Sequence, residues 1–295
     1  MTFTDPHPPL SPDAAVSVRD LRKNYGALTA LDGVSFDIAR GETFALLGPN
    51  GAGKSTTIEI LEGYRNRSSG VASVLGIDPH RGGVDWKARI GIVLQTSAEA
   101  GNVSVREQLI HFAGFYPNPR DVDEVIAAAG LAEKAKSRIK NLSGGQRRRV
   151  DVALGIIGRP ELLFLDEPTT GFDPEARRDF WELIRDLKRE GTTILLTTHY
   201  LDEAAQLSDR VAVIASGRLV DMGAVGEIGG AGARIPIVRW RDNDGIHEQR
   251  THEPAAVVSR LYQGGGEPRD LEVIRPSLED IYLELVKDAA AEVAA

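Results

Sequence analysis

Residues 48–55 read Gly-Pro-Asn-Gly-Ala-Gly-Lys-Ser and decide the fold class of this chain. The octapeptide matches the phosphate-loop pattern G-x-x-x-x-G-K-[ST], which chance would produce in roughly one of a hundred sequences of this composition. It follows the apolar stretch Glu42 to Leu47 and precedes a helical pattern that begins at Ser55. Such a turn aims backbone N–H groups and the positive end of a helix dipole at phosphates. We therefore predict a strand, a phosphate loop and a helix here.

Individual residues of this loop have predicted roles. Lys54 is expected to reach the β- and γ-phosphates of a nucleotide, and the Ser55 hydroxyl is expected to coordinate Mg²⁺. The other predicted nucleotide-contacting positions are Gly48, Asn50, Gly51, Gly53 and Thr56.

Composition narrows the possible function classes. The chain has 35 Lys and Arg against 43 Asp and Glu, a net charge of -8, which argues against a nucleic-acid binder because such proteins need clustered cations. The 42% hydrophobic content is typical of a globular protein with a sizeable core. The absence of Cys excludes disulfides, thiolate catalysis and zinc–thiolate sites. No uncharged stretch approaches the ~20 apolar residues that span a bilayer, so we predict that the chain does not cross a membrane.

Turn residues and hydrophobic spacing divide the chain into three predicted parts. Residues 1–14 are predicted to be a disordered lead-in without the features of a secretory signal. Strand and helix patterns alternate over residues 15–222, which indicates an α/β unit with a largely parallel sheet, and a helical arm is predicted at about residues 96–158. Small residues and Gly follow at 223–232. Residues 223–295 are therefore predicted to form a small α+β C-terminal domain with an accessory or regulatory role.

An apolar strand pattern, Leu162 to Leu165, ends in the acids Asp166 and Glu167. Acids after a strand usually form only a solvated turn. Downstream of a phosphate loop, however, Mg²⁺ needs a carboxylate at a strand end beside the phosphates. Asp166 is therefore the metal candidate, and Glu167 is the candidate general base for an attacking water.

The string Leu142-Ser143-Gly144-Gly145-Gln146, called the signature below, lies between the phosphate loop and the acidic strand. Chance gives it in about three of ten thousand such sequences. With these motifs, residues 16 to about 223 resemble the ATP-binding subunits of ABC transporters. The resemblance implies a P-loop NTPase fold of the ABC-cassette type, with a mixed sheet core, an antiparallel β part and a helical arm. It also implies ATP hydrolysis with Mg²⁺, and closure of the signature of one subunit on ATP held by another.

The resemblance implies roles for four further residues. Tyr25 is similar to the aromatic residue that stacks on adenine, and His199 to the histidine that contacts the γ-phosphate. Gln95 is similar to the glutamine that touches Mg²⁺ or the attacking water and links to the membrane partner. Asp173 matches the loop that crosses the dimer interface. The residues alone allow other roles: a core or edge Tyr, a surface Gln, a structural His and an N-capping Asp.

Three cations, Arg147 to Arg149, follow the signature. Because the net charge is -8, we expect them to form a solvated helix face or contacts across a dimer rather than a nucleic-acid site.

Three functional interpretations compete. The first is the energy-coupling ATPase of a transporter, held at the cytoplasmic face of the cell membrane by separate permease subunits and paired with a second ATP-binding subunit, most simply a copy of itself. The second is a soluble ABC ATPase that acts on the ribosome or DNA, against which the short segment 96–141 argues. The third is an ordinary P-loop kinase or GTPase, which leaves the signature and His199 without a role.

Two further segments favour the first interpretation. Gly91 to Gln95, followed by Val105 to Glu107, and the C-terminal Pro276 to Leu285 resemble the drug-resistance (daunorubicin-type) exporter ATPases that pair with ABC-2 type permeases. That resemblance implies export of drugs, lipids or other hydrophobic or polymeric substrates, selected by the permease. The C-terminal segment is also a simple amphipathic helix. Its predicted packed face consists of Leu278, Ile281, Tyr282 and Leu285.

Overall fold

The structure is a computed structural model that describes residues 10–94, 102–242, 244–263 and 268–294. Most of the predicted lead-in, residues 1–9, lies outside the described residues, and so does Gln95. The strands are β1 (Ala14–Tyr25), β2 (Leu28–Ala39), β3 (Thr43–Leu47), β4 (Ser69–Val74), β5 (Ile90–Val93), β6 (Leu162–Asp166), β7 (Thr193–Thr197), β8 (Arg210–Ala215), β9 (Arg218–Ala224), β10 (Ile237–Asp242), β11 (Gly245–Arg250) and β12 (Arg269–Ile274). The helices are α1 (Lys54–Leu61), α2 (Val84–Lys87), α3 (Val105–Ala113), α4 (Val122–Ala128), α5 (Gly144–Ile156), α6 (Pro174–Arg189), α7 (Leu201–Leu207), α8 (Gly230–Ala233), α9 (Pro254–Gln263) and α10 (Leu278–Ala294).

A mixed sheet lies at the centre of the described residues. Its six strands have the order β5-β6-β7-β3-β8-β9, in which β9 is antiparallel to β8 and the other neighbours are parallel. Every residue of β3 and β7 is buried, as expected for parallel strands that are covered on both faces. The predicted α/β fold with a largely parallel sheet is confirmed.

Strand β9 was not predicted, although its hairpin has a sequence signal. Ser216 and Gly217, the turn between β8 and β9, both have positive φ, at 49° and 75°. This is the backbone of a two-residue hairpin turn. The strand itself contains Asp221 and Gly223, and its side chains are mostly half-buried, so its composition lacks the apolar run of the central strands.

A second sheet, β2-β1-β4, is antiparallel and packs on one face of the central sheet. Its buried side chains share a core cluster with Phe44 and Leu46 of β3, whereas Ala45 and Leu47 point into a cluster on the opposite face. This alternation follows from the two-residue period of a strand. The helices α3 to α7 supply the opposite cluster, and α3, α4 and α5 fall within the segment predicted to be a helical arm.

The C-terminal residues form two structural parts. Strands β11-β10-β12 make an antiparallel sheet on which α9 packs, with Val238 and Val257 buried. Helix α10 instead packs on β8, α7 and β9. Its buried residues Leu278 and Ile281 belong to the same core cluster as those elements.

The predicted packed face of α10 is confirmed, because Tyr282 and Leu285 are partly buried against the same cluster as Leu278 and Ile281. The helix continues beyond Lys287 through the Ala-rich segment to Ala294. Alanine has the highest helix propensity. Across the described residues, every helix is too short or too polar to cross a bilayer.

Candidate nucleotide-binding and catalytic site

The order of the central strands brings the predicted site residues to one sheet edge. Strands β6, β7 and β3 are neighbours and run parallel. In register, Thr197 at the end of β7 lies between Asp166 of β6 and Leu46 of β3. The carboxyl ends of parallel strands share an edge, where ligands bind in open α/β sheets. The phosphate loop after β3 therefore lies beside the acids after β6 and the histidine after β7.

Two glycines of the phosphate loop have no room for a side chain. A Cβ at Gly48 would lie 2.2 Å from the Ile214 carbonyl oxygen, and one at Gly53 would lie 2.6 Å from Leu31 Cδ2. Gly53 also has a φ of 108°, in the region that L side chains avoid. The loop can hence adopt this path only with glycine at both positions.

Lys54 is buried within the loop that it follows. Its Nζ donates hydrogen bonds to the carbonyl oxygens of Gly48 at 2.8 Å and Pro49 at 3.1 Å. Burial lowers the pKa of Lys54, and the negative charges of Glu167 and Asp166 oppose that change. The ammonium group is thus held at the loop, next to the predicted phosphate position.

Asp166 and Ser55 line the same groove, which has a volume of about 780 Å³. The Thr197 hydroxyl donates a hydrogen bond to Asp166 Oδ1, and Ser55 is exposed in the first turn of α1. A hydroxyl and a carboxylate are hard oxygen donors of the kind that Mg²⁺ prefers, and Mg²⁺ completes its coordination with substrate phosphates and waters. The described residues contain no cluster of three or more His, Cys, Asp or Glu side chains that could form an all-protein metal site. The donor set therefore fits Mg²⁺ bound together with a nucleotide.

Glu167 and His199 lie close together at this edge. His199 Nδ1 is 3.4 Å from Glu167 Oε2, with the carboxylate side chain 14% and the imidazole 46% exposed. Glu167 has a φ of 48°, and its N–H donates to the Thr197 carbonyl oxygen at 3.0 Å. A non-glycine residue in the left-handed region costs ~1–2 kcal/mol. The surrounding hydrogen bonds hold Glu167 in this unfavourable conformation, with its carboxylate next to His199.

The signature forms the exposed N-terminus of α5. Ser143 is the N-cap, and its Oγ accepts a hydrogen bond from Gln146 N at 3.2 Å while Gln146 Oε1 accepts one from Ser143 N at 3.1 Å. Ser143 and Gly144 are exposed. Among the described residues, the hydrogen bonds of Ser143 stay within its own helix turn and none reaches the phosphate loop.

Asp173 acts as an N-cap in this structure. Its Oδ1 accepts a hydrogen bond from Ala176 N at 2.8 Å at the start of α6. The segment before Asp173 lies near the signature, since a Cβ on Gly145 would be 3.7 Å from the Gly171 carbonyl oxygen. The two predicted interface segments are therefore neighbours within one subunit.

Tyr25 lies at the end of β1 with 38% of its surface exposed. Lys23 Nζ is 4.9 Å and the Arg65 guanidinium carbon is 5.3 Å from the centre of its ring. Cations at this distance are attracted to the face of an aromatic ring. An adenine that stacks on Tyr25 would share the ring with these cations or displace them.

The expectation of a solvated face for the three arginines after the signature is wrong for Arg148. This side chain is 4% exposed and donates hydrogen bonds to the carbonyl oxygens of Leu94, Asp166, Glu167 and Pro168. The spacing of residues along the helix could have predicted the burial of Arg148. Arg148 lies one turn before Val152, and that residue is on the buried side of α5.

A second buried ionisable residue, Glu203, was also missed. Its side chain is inaccessible to solvent at the first turn of α7, four residues after His199. Trp181 Nε1 of α6 donates to Glu203 Oε1 at 3.3 Å. Burial raises the pKa of Glu203, and the hydrogen bond from Trp181 opposes the rise.

Known proteins share both the sequence and the fold. Residues 31–170 match the family described as ABC transporter. The daunorubicin resistance ATP-binding protein DrrA3 of Streptomyces coeruleorubidus is 35% identical over 94% of this chain and 97% of its own length. The Nod factor export ATP-binding protein I of Paraburkholderia xenovorans is 40% identical over 72% of each chain.

A solved ATP-binding subunit of an ABC transporter has the same fold, with a TM-score of 0.69, 24% identity and coverage of 92% of this chain and 99% of its own. Both similar sequences are named as ATP-binding proteins of resistance or export. The alternative of an ATPase that acts on the ribosome or DNA receives no support from them. The matched family and the full-length relative agree with the sheet edge that carries Lys54, Asp166 and Glu167. We conclude that this chain belongs to the ABC transporter family, as an ATP-hydrolysing ATP-binding subunit.

Proposed function

We propose that this chain powers an exporter, and that it hydrolyses ATP with Glu167 as the general base. One observation carries the assignment of the site: Glu167 Oε2 lies 3.4 Å from His199 Nδ1, at the sheet edge where the phosphate loop with Lys54 begins. One edge of the central sheet thus carries the proposed general base Glu167, the proposed γ-phosphate contact His199 and the proposed phosphate-binding cation Lys54.

The chemistry follows from these positions. The phosphate loop and Lys54 bind the β- and γ-phosphates, and Glu167 accepts a proton from the attacking water while His199 holds the γ-phosphate in line. Bound at Ser55 and Asp166, with Gln95 as a further contact, Mg²⁺ would neutralise charge on the phosphate oxygens. Phosphoryl transfer needs mainly this positioning and charge stabilisation.

We further propose that two subunits enclose ATP. The signature turn around Ser143 is exposed, and unpaired N–H groups at a helix N-terminus bind anions. In this arrangement Ser143, Gly144, Gly145 and Gln146 of one subunit contact the γ-phosphate held by the phosphate loop of the other. Asp173, near the signature, contributes to the same interface, and Tyr25 stacks on adenine.

The permease is proposed to dock at the groove of about 780 Å³ that Asp166 and Ser55 help to line. Apolar side chains are exposed along it: Tyr64 is 79%, Leu94 54% and Ile92 37% exposed. Exposed apolar patches of this kind mark interaction sites. The segment that contains Gln95 directly follows Leu94, so a partner in the groove would lie beside the reaction. The chain would then be held at the cytoplasmic face of the cell membrane.

The exported substrate is proposed to be a hydrophobic or amphipathic molecule, because the similar proteins named above serve daunorubicin resistance and Nod factor export. Residues 15–222 are proposed to be the nucleotide-binding unit, and residues 223–295 to tune dimer contact or permease coupling. Purification of a tagged chain from detergent-solubilised membranes tests the partner. We expect a polytopic permease to copurify with the native chain and to be lost from a Leu94→Asp variant that still binds ATP.

The catalytic assignment has its own test. A Glu167→Gln variant should keep ATP binding but release phosphate about 10²- to 10⁴-fold more slowly, because it loses the general base. A Lys54→Ala variant should lose both binding and turnover. Fluorescent-nucleotide titration and phosphate-release assays on both variants measure these effects. Near-native hydrolysis by Glu167→Gln would refute the assignment.

A further inference from the structure

We infer that Arg148 is a positioning residue for hydrolysis: it holds the backbone turn at Glu167 and mechanically links that turn to the signature helix α5. The inference rests on the proposed role of Glu167. It concerns a residue that touches neither nucleotide nor water and acts only through the backbone around Glu167.

The contacts of Arg148 converge on that backbone. Its Nη2 donates to the carbonyl oxygens of Asp166 at 2.6 Å and Glu167 at 3.2 Å, and its Nε donates to that of Pro168 at 3.1 Å. Its Nη1 donates to the Leu94 carbonyl oxygen. One guanidinium therefore binds three consecutive carbonyls, which begin at the last residue of β6, and one carbonyl directly after β5.

The turn that Arg148 binds is the strained one. Glu167 has a φ of 48°, a conformation that persists at functional sites only where neighbouring contacts impose it. Its N–H donates to the Thr197 carbonyl oxygen, and its own carbonyl oxygen accepts from Arg148. This left-handed conformation places the carboxylate 3.4 Å from His199 Nδ1. Without Arg148, we expect the turn to relax and the carboxylate to leave this position.

Arginine suits this task better than lysine. Its planar guanidinium presents five N–H donors in a fixed fork, whereas lysine has three donors on one atom. The side chain is 4% exposed. Burial lowers the pKa of Arg148, and the acids Asp151, Asp166 and Glu167 oppose the change. A buried cation that is hydrogen-bonded to backbone carbonyls holds those carbonyls more firmly than a neutral donor would.

Arg148 connects the signature helix α5 to the backbone at Glu167 and Leu94. It lies on α5, the helix that begins after Ser143, and its bond to Leu94 reaches the residue before Gln95. A rigid shift of α5 would therefore move the backbone at Glu167 and at Leu94 together. Closure of the signature on a second subunit would therefore be transmitted to the backbone of Glu167 through Arg148.

The first test separates turnover from binding. Arg148→Gln and Arg148→Lys are expected to lower kcat about 10- to 100-fold, as misplacement of a catalytic group by about 1 Å does, and to change the Kd for ATP by less than about threefold. Arg189→Gln is the matched control for the loss of one cation, because Arg189 lies on the solvent side of α6 with its side chain 71% exposed. Circular dichroism and melting curves establish that each variant is folded. A folded Arg148→Lys with native kcat would overturn the inference.

The second test asks whether Arg148 acts through Glu167. Single-turnover phosphate release is measured for Arg148→Lys, Glu167→Gln and the double variant. If the general base is already absent, losing its support should have no further effect, so the double variant should react as slowly as Glu167→Gln. Multiplied losses would instead mean a general structural role and would overturn the inference. Near-native hydrolysis by Glu167→Gln alone would refute the proposed function itself, so the two failures are distinguishable.

Discussion

Glu62 shows how a single side chain near the site responds to its surroundings. It follows the last residue of α1 and is 7% exposed, so its carboxylate is desolvated and lies at the negative end of a helix. Burial, with smaller contributions from the negative charges of Asp166 and Glu59, raises the pKa of Glu62 from 4.5 to about 7. Between pH 4.5 and about 7, this carboxyl group is therefore largely protonated, whereas most other carboxyl groups are ionised.

This pKa predicts a pH-dependent stability. Between pH 4.5 and about 7 the folded chain binds more protons at Glu62 than the unfolded chain, so stability falls as pH rises through this range. At about 1.4 kcal/mol per pH unit, the free energy of unfolding of the native protein should fall by ~2 kcal/mol more between pH 5 and pH 8 than that of a Glu62→Gln variant. Urea unfolding in EDTA at both pH values measures this. The exposed Glu182→Gln serves as control, and identical pH dependence of Glu62→Gln and native protein would contradict the prediction.

At the residue scale, the sequence predicted residues that the structure brings together at one sheet edge, and it missed residues that support that edge. Lys54, Asp166 and Glu167 belong to local motifs whose spacing is set by the chemistry. The contacts of Arg148 and Glu203 are long-range: Arg148 binds Leu94, 54 residues away, and Glu203 binds Trp181, 22 residues away. Such pairs depend on how elements pack, and no short motif carries that information.

Helix α5 combines two tasks at the scale of an element. Its N-terminal turn is closed by a capping box between Ser143 and Gln146, and this cap keeps the first turn rigid while leaving it exposed. A cap of this kind contributes ~1 kcal/mol. The predicted contact across the dimer thus depends on a serine that already stabilises its own helix, and a substitution there has two effects that need to be separated.

Ser143→Arg should prevent ATP-dependent dimerisation, because the larger side chain would occupy the space of the γ-phosphate, while nucleotide still binds at the variant's own phosphate loop. Light scattering with ATP and Mg²⁺ in a Glu167→Gln background is the measurement. Ser104→Arg is a matched control, since Ser104 caps α3 with the same capping box to Glu107. Equal dimerisation of the Ser143→Arg and Ser104→Arg proteins would count against the enclosed-ATP arrangement.

Among the elements, the fully buried central strands were predictable, whereas the edge strands β9 and β11 were not. Strands β3, β6 and β7 read as apolar runs because both of their faces are covered. Strand β11, Gly245–Arg250, alternates half-buried and exposed residues and contains charged side chains, so it resembles a loop in sequence. Its pairing with β10 depends on backbone hydrogen bonds between the two strands rather than on its own hydrophobicity.

At the scale of the whole molecule, α10 joins the C-terminal residues to the core of the nucleotide-binding part. Ile281 is 1% exposed within the cluster that also contains Val211 of β8 and Leu207 of α7. A Cβ on Gly229 would lie 2.5 Å from Ile281 Cγ2, so a glycine there allows the helix to approach. Truncation after Gly223 would remove this cover and leave apolar surface on β8.

Ile281→Ala should therefore destabilise the nucleotide-binding part itself, by ~2–4 kcal/mol for a buried large-to-small change. Unfolding by urea, followed with and without ATP, measures the loss. Leu283→Ala on the exposed side of the same helix, where the side chain is 57% exposed, is the control and should cost little. Equal losses from both substitutions would mean that α10 does not complete this core.

The position of α10 in the chain also affects the order of events during synthesis. The helix follows the strands that it covers by the whole β10–β12 unit, so it leaves the ribosome later than they do. At ~5–20 residues per second, that delay is on the order of several seconds. For this interval the nascent chain carries an open apolar face on β8 and α7. Until α10 docks, this face can aggregate or bind a chaperone.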